Sequence, residues 1–229
     1  NEKKIISADL TKFITPIQNF KAKVENNDKL DLYLSGERLT LEKLDLKGDN
    51  QISEFNDINI ELDVNELFLG KRKFNSPKIN LEKKDMKFER LLVNLTGEKD
   101  YHKIYITKEE GAKTFFLESN YVPGLFDLLD INFEVNTGSL KVEGKQDESS
   151  GKFNGQIAGK DFVFLDTPFL ADFITLFSLQ GLAQKLKDGG IFFEELNGGY
   201  EFFDGELKII DSLLKGSDLG VFFNSNISF

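Results

Sequence analysis

His102 is the residue with the widest chemical range in this chain, and it is the single histidine of the sequence. An imidazole acts as a general base or a metal ligand only with a nucleophile or further ligands beside it. His102 follows Tyr101 in the polar run Glu98–Lys103, and the chain has no cysteine to share a metal with it. No G-x-S-x-G turn supplies a serine nucleophile. We read His102 as a solvated histidine at a strand edge. The adjacent carboxylates Glu109-Glu110 and Glu194-Glu195 would point to opposite faces of a strand and read as turn and rim charges. Asp45, Asp49, Asn50 and Gln51 lack calcium-loop spacing and its closing Glu. Lys187-Asp188-Gly189-Gly190 ends a helix rather than opening one, so it cannot cradle phosphate. Asn94-Leu95-Thr96 and Asn226-Ile227-Ser228 have glycosylation spacing, a triplet that recurs by chance. No catalytic residue, metal set or cofactor site emerges, and the expected function is non-enzymatic.

Composition narrows the partners. The 229 residues carry a net charge of −10, which argues against nucleic acid, because phosphate contacts need clustered Lys and Arg. Phe is unusually common at 23, with no Trp and no Cys; the missing cysteines remove disulfides without naming a compartment. The length suits one large β domain or two smaller ones. The sequence starts at Asn1 and ends in the strand-like Ile227-Ser228-Phe229, which reads as a segment of something longer.

The elements that would hold any site are mostly strands. In residues 1–23, Leu10, Phe13, Ile14 and Ile17 have helical spacing interrupted by Pro16, which predicts a short amphipathic helix or an irregular arm. From Lys29 the period is two. Leu30, Leu32 and Leu34 alternate with polar residues, and the phase slips across Glu42-Lys43. Ile58, Ile60, Leu62 and Val64 form the cleanest strand, with another slip before Leu67 and Leu69. Ile79 and Leu81, Met86 and Phe88, Ile104 and Ile106, and Phe115 and Leu117 continue the pattern, one face dry and one wet. Val122–Asp130 breaks it with one or two helical turns. Gly138–Gly144 and Lys152–Ala158 pair through the loop Asp147–Gly151, and Asn197-Gly198-Gly199 and Asp204-Gly205 mark further tight turns. Leu39, Leu41, Leu46 and Gly48 recur in spacing as Leu207, Ile209, Leu214 and Gly216, as stacked meanders would.

The longest helix is expected within 167–188. Thr167 is a good N-cap, Pro168 fits the first helical position, and Gly189-Gly190 stops it. Phe169, Phe173, Leu176 and Phe177 leave it apolar nearly all round, so it must be covered, and a sheet is the available cover. A membrane span over Phe162–Ala183 would bury Asp166 and Asp172 at about 2.5–3.5 kcal/mol each near the bilayer centre. The expected fold is mainly β, an extended curved antiparallel sheet forming an apolar groove. It is one continuous unit over 1–229 with a soft boundary near 119–137.

The C-terminal third resembles the AsmA-like superfamily of Gram-negative envelope proteins, in particular the C-terminal region shared with YhdP-type proteins. The pattern is Gly155-x-Ile157 into Asp161-Phe162 and Thr167-Pro168, then Leu176-Phe177-Ser178-Leu179-Gln180-Gly181-Leu182. Gly189-Gly190-Ile191-x-Phe193, Leu196-x-Gly198, Asp204-Gly205-x-Leu207 and Gly216-x-x-Leu219-Gly220 complete it. Gly138-Ser139-Leu140-x-Val142-x-Gly144 looks like the strand preceding this block, so 138–229 is the recognisable region. The resemblance implies a periplasmic segment of a protein anchored in the inner membrane by parts absent here. It also implies a β-taco groove and a part in phospholipid movement to, and integrity of, the outer membrane. It brings no catalytic motif.

The expected ligand is therefore phospholipid or fatty acyl chains, with no cofactor and no nucleic acid. The groove residues expected to hold it are Phe162, Phe164, Phe169, Phe173, Phe177, Phe192 and Phe193. Two rivals remain: an envelope scaffold whose own Phe and Leu fill the dry face, and a lipocalin-type carrier barrel, which would not expect the helix at 168–187.

Overall fold

The structure is a computed structural model that describes residues 7–15, 18–26, 29–41, 57–85, 87–109, 111–129, 131, 134–165, 189–217 and 219–228. Among them are fourteen strands and one short helix, so the mainly β reading holds. The helix expected within 167–188, with Phe169, Phe173 and Phe177, lies outside the described residues, as does the slip at Glu42-Lys43. No helix among the described residues is long and apolar enough to cross a membrane. Contacts divide the chain between Thr114 and Phe115 into two compact units.

The first unit begins with β1 (Ser7–Thr15), β2 (Gln18–Asn26), β3 (Lys29–Leu41) and β4 (Asp57–Leu69). It continues with β5 (Arg72–Asn75), β6 (Lys78–Lys84), β7 (Lys87–Thr96) and β8 (Tyr101–Glu109). Neighbours run in the order β1-β2-β3-β4-β6-β7-β8, with β5 also on β4. The expected helix or arm at the start is instead the hairpin β1–β2. Its register slips between Leu10 and Phe13, so a bulge stretches the apolar spacing from two to three and imitates a helical period.

One pair departs from the antiparallel expectation: β3 and β4 run parallel, Leu30 beside Ile58 through Leu41 beside Leu69. A parallel neighbour needs a crossover of about a dozen residues or more, and residues 42–56 are available for it. The slip between Val64 and Leu67 is matched in β3, where Gly36 sits beside Val64 and Arg38 beside Glu66. Both strands change phase together, so Leu39 and Leu67 return to the buried side. The irregularity continues sideways. The β2–β3 register shifts between Asn19 and Phe20. On the other flank, the chain leaves β5 at Ser76, in left-handed backbone at φ 44, whose N–H donates to the Asn65 carbonyl. A line of bulges thus crosses adjacent strands. Gly36 belongs to it by necessity: at φ 153 a side chain there would meet the Phe20 backbone at 2.6 Å.

The second unit contains most of β9 (Ala112–Ser119), then α1 (Val122–Leu128), β10 (Val135–Gln146) and β11 (Phe153–Phe164). β12 (Ile191–Phe203), β13 (Glu206–Lys215) and β14 (Gly220–Ser228) follow. The strands from β9 to β14 are neighbours in chain order, and the pairs from β10 to β14 are all antiparallel. The turns at Val122–Leu128 and the β10–β11 hairpin match expectation. In the hairpin loop Asp147 Oδ1 accepts from the N–H and hydroxyl groups of both Ser149 and Ser150. These bonds, led by Ser149, hold the carboxyl down at about 2. Asp204 and Gly205 take φ 51 and 75 between β12 and β13, the signature of a type I′ turn. Asn197-Gly198-Gly199, expected to turn, instead lies inside β12. Gly198 is there for close packing, since any side chain on it would strike Ser212.

Candidate functional site

The pairings in the second unit place side chains in rows across one face of the sheet, because directly opposed residues share a face. One row is Gln146, Phe153, Phe202, Leu207 and Ile227; the next is Gly144, Gly155, Tyr200, Ile209 and Ser225. Beyond them come Leu140, Gly159, Leu196, Leu214 and Val221, and then the pair Phe162 and Phe193. Left-handed Asp161 and Asp211, at φ 58 and 46, reset the alternation so that the apolar residues stay on this face beyond them.

The face is closed at one end and bare at the other. Around Phe193, at 0% exposure, Phe162, Val122 of α1, Val135, Ile191 and Leu214 form a buried cluster. Phe164 stacks on Phe162 with ring centres 5.7 Å apart and meets Phe193 edge-on at 5.5 Å. At the other end Phe202 is 37% and Ile227 43% exposed. Leu140, Val142, Ile157, Leu196 and Ile209, in between, are half-buried.

Glycines set where the large rings lie. A side chain on Gly138 or Gly159 would meet the Phe162 ring at 2.6 and 2.5 Å, and one on Gly155 would meet the Tyr200 ring at 2.7 Å. Tyr200 therefore lies along its row, over Gly155, with its hydroxyl over Gly144. The residue is buried, and its hydroxyl has no hydrogen-bond partner among the described residues. Burial alone pushes its pKa up to about 12, so it stays protonated and can donate.

The first unit offers a different site. On its line of bulges lies an open concavity of about 470 Å³ lined by Ile14, Gln18, Asn19, Glu37, Arg38 and Glu66. Gln18, Asn19, Arg38 and Glu66 are matched there. The Gln18 amide donates to the Thr40 carbonyl and accepts from the Thr40 N–H, both at 2.8 Å, in the manner of a backbone rung. Asn19 donates to Glu37. Arg38 donates to Glu66 Oε2 at 2.9 Å, and Lys73 pairs with the other oxygen. Lys73, then Arg38, hold Glu66 below the usual carboxylate range. Both cations also lie over the Phe68 ring, at 5.3 and 5.9 Å.

His102 overturns its expected solvation. It is 1% exposed, edge-on to Phe74 at 6.2 Å, with Arg72 Nη2 at 2.7 Å from its Nε2. A guanidinium only donates, so Nε2 accepts and the neutral ring carries its proton on Nδ1. Arg72 also pairs with Asp100. Burial first, then the Arg72 charge, lowers the histidine to about 4, against the opposing pull of Asp100. This is a packed polar cluster of Arg72, Asp100 and His102 against the Phe74 ring. Asn94 sits inside β7 with its side-chain oxygen buried, a poor position for a glycan acceptor.

Of the residues expected to form an apolar site, Phe162, Phe164 and Phe193 meet in one cluster. Phe192 does not join them. It is 45% exposed, because consecutive strand residues point to opposite faces. Glu194 and Glu195 are both exposed. Sequence reasoning missed Tyr200. The available signal was the inward-facing glycines Gly138, Gly144, Gly155 and Gly159, since glycine within a strand marks a close approach. Comparison with known protein families, with curated proteins and with solved structures finds no match.

Proposed function

We propose that this chain is a non-enzymatic lipid-binding segment whose second unit lays acyl chains along the face from Phe193 to Phe202. The apolar face forms one side of a groove. In the whole protein the segment works in the periplasm, anchored to the inner membrane, and supports phospholipid movement to the outer membrane, as the AsmA-like resemblance implies. The observation that carries the reading is the gradient on that face: mostly apolar, sealed at the Phe193 end and open at Phe202 and Ile227. Apolar surface of this kind is the usual mark of a binding region rather than of a free surface. Acyl burial would contribute about 0.8 kcal/mol per CH₂, so affinity should follow chain length more than head group.

Photo-crosslinking tests this. Probes at Phe202 and Ile209 should capture lipid identified by mass spectrometry of the extracted adduct, and probes at Glu201 and Lys208 on the other face should not. Equal capture from both faces, or none, would favour the second reading, an envelope scaffold acting through protein contacts. That reading draws on the opposite face, where Phe222, Phe192 and Leu213 are 66%, 45% and 41% exposed.

A further inference from the structure

We infer that the Tyr200 hydroxyl is the polar anchor of the apolar face and donates a hydrogen bond to the carbonyl oxygen of an acyl ester or fatty acid lying on it. The inference rests on the lipid-binding reading and specifies which lipid atom is recognised, and where.

A buried hydroxyl without a partner is costly, because folding strips its water and returns nothing. Nearly all buried polar side-chain atoms in folded proteins are paired, so an exception asks for a cause. Tyr200 is 5% exposed, its hydroxyl is unpartnered among the described residues, and its ring lies over two glycines on which any side chain would strike it. Ser212 on the same face donates to the Ile210 carbonyl at 3.1 Å and Ser225 there is only half-buried, so Tyr200 is the buried hydroxyl of this face with no partner among the described residues. Being protonated, it suits an acceptor that is itself apolar in its surroundings, and an acyl carbonyl is such a group.

The position along the face fits a chain of that kind. Tyr200 stands one row in from the open end at Phe202. Phe193, at the sealed end, lies seven residues along β12, roughly 23 Å at the usual strand rise. A carbonyl held at Tyr200 would leave the head group at the open end and run the tail toward Phe193.

The test uses the delipidated chain, the Tyr200→Phe variant and two lysophospholipids of equal chain length, one ester-linked and one ether-linked. Tyr200→Phe removes only the hydroxyl, so the ligand-free variant should melt no lower than the parent. The parent should bind the ester lipid about three- to tenfold more tightly than the ether lipid, the worth of one neutral hydrogen bond. In Tyr200→Phe that preference should vanish, with ether binding unchanged. Equal binding of both lipids by the parent would overturn the anchor while leaving lipid binding intact. A clear drop in the melting temperature of the ligand-free variant would overturn it too, by revealing a partner within the protein. Failure of both lipids to bind would overturn the lipid reading itself.

Discussion

The charges around Arg38 in the first unit have partners within the chain, whereas the hydroxyl of Tyr200 in the second has none among the described residues. Both sites lie where strands depart from regular pleating. At Arg38 the bulges open a concavity that the protein lines with its own ion pairs, a side-chain amide rung and the Phe68 ring under two cations. At Tyr200 the glycines lower the floor of an apolar face and leave a donor unmet. A pocket-shaped hollow with satisfied groups has little to gain from a ligand. An apolar face with an unsatisfied donor has both burial and a hydrogen bond to gain. The hollow is therefore the weaker candidate, and chemistry rather than shape separates the two.

The sharpest break of this contrast is in the sealed end. Phe193→Ala should lower unfolding free energy by about 3–5 kcal/mol, the cost of emptying a well-packed aromatic site, read by denaturant titration followed by circular dichroism. A loss below about 1 kcal/mol would mean that the end is not sealed.

Acid should act on the first unit. His102 has a folded pKa near 4 against about 6.5 unfolded, so the native state binds fewer protons. Its contribution is fully present above pH 6.5, declines as pH falls through the window to 4, and is then lost. The shift corresponds to about 3 kcal/mol. His102→Gln should remove that part of the pH dependence while the carboxylate part persists, measured as stability from pH 7 to 4. Parallel curves for the two proteins would show the ring to be protonated without penalty.

Within the second unit, Gly155→Ala should cost about 1–3 kcal/mol, because the new methyl strikes the Glu143 carbonyl oxygen and meets the Gly144 backbone at 2.6 Å and the Tyr200 ring at 2.7 Å. Gly199→Ala, with its nearest neighbour at 3.6 Å, should change stability by less than about 0.5 kcal/mol in either direction. Melting curves of the pair check it, and equal effects would remove the argument for a fitted ring. The smallest effect belongs to the exposed pairs. Glu66→Gln should leave the melting temperature unchanged within error at moderate salt, since solvent screens such contacts. A measurable drop would make the concavity a stabilising site.

The sequence by itself determined the period of two, the β class, the Asp204-Gly205 turn, the loop at Asp147 and the helical turns after Tyr121. These depend on neighbours a few residues apart, whose φ preferences and alternation act locally. It also singled out Phe162, Phe164 and Phe193, because apolar residues at such positions have nowhere else to go. Tertiary structure decided the rest. The helical spacing at Leu10 and Phe13 belongs to a bulged strand, which only the pairing with β2 reveals. The parallel β3–β4 pair and its shared slip depend on a partner strand far along the chain. His102 looks polar among its sequence neighbours and is buried because Phe74 and Arg72 arrive from another strand. Tyr200 acquires its meaning from Gly144 and Gly155 on two neighbouring strands. Burial and hydrogen-bond satisfaction are properties of what surrounds a group in space, and no window of sequence contains that surrounding.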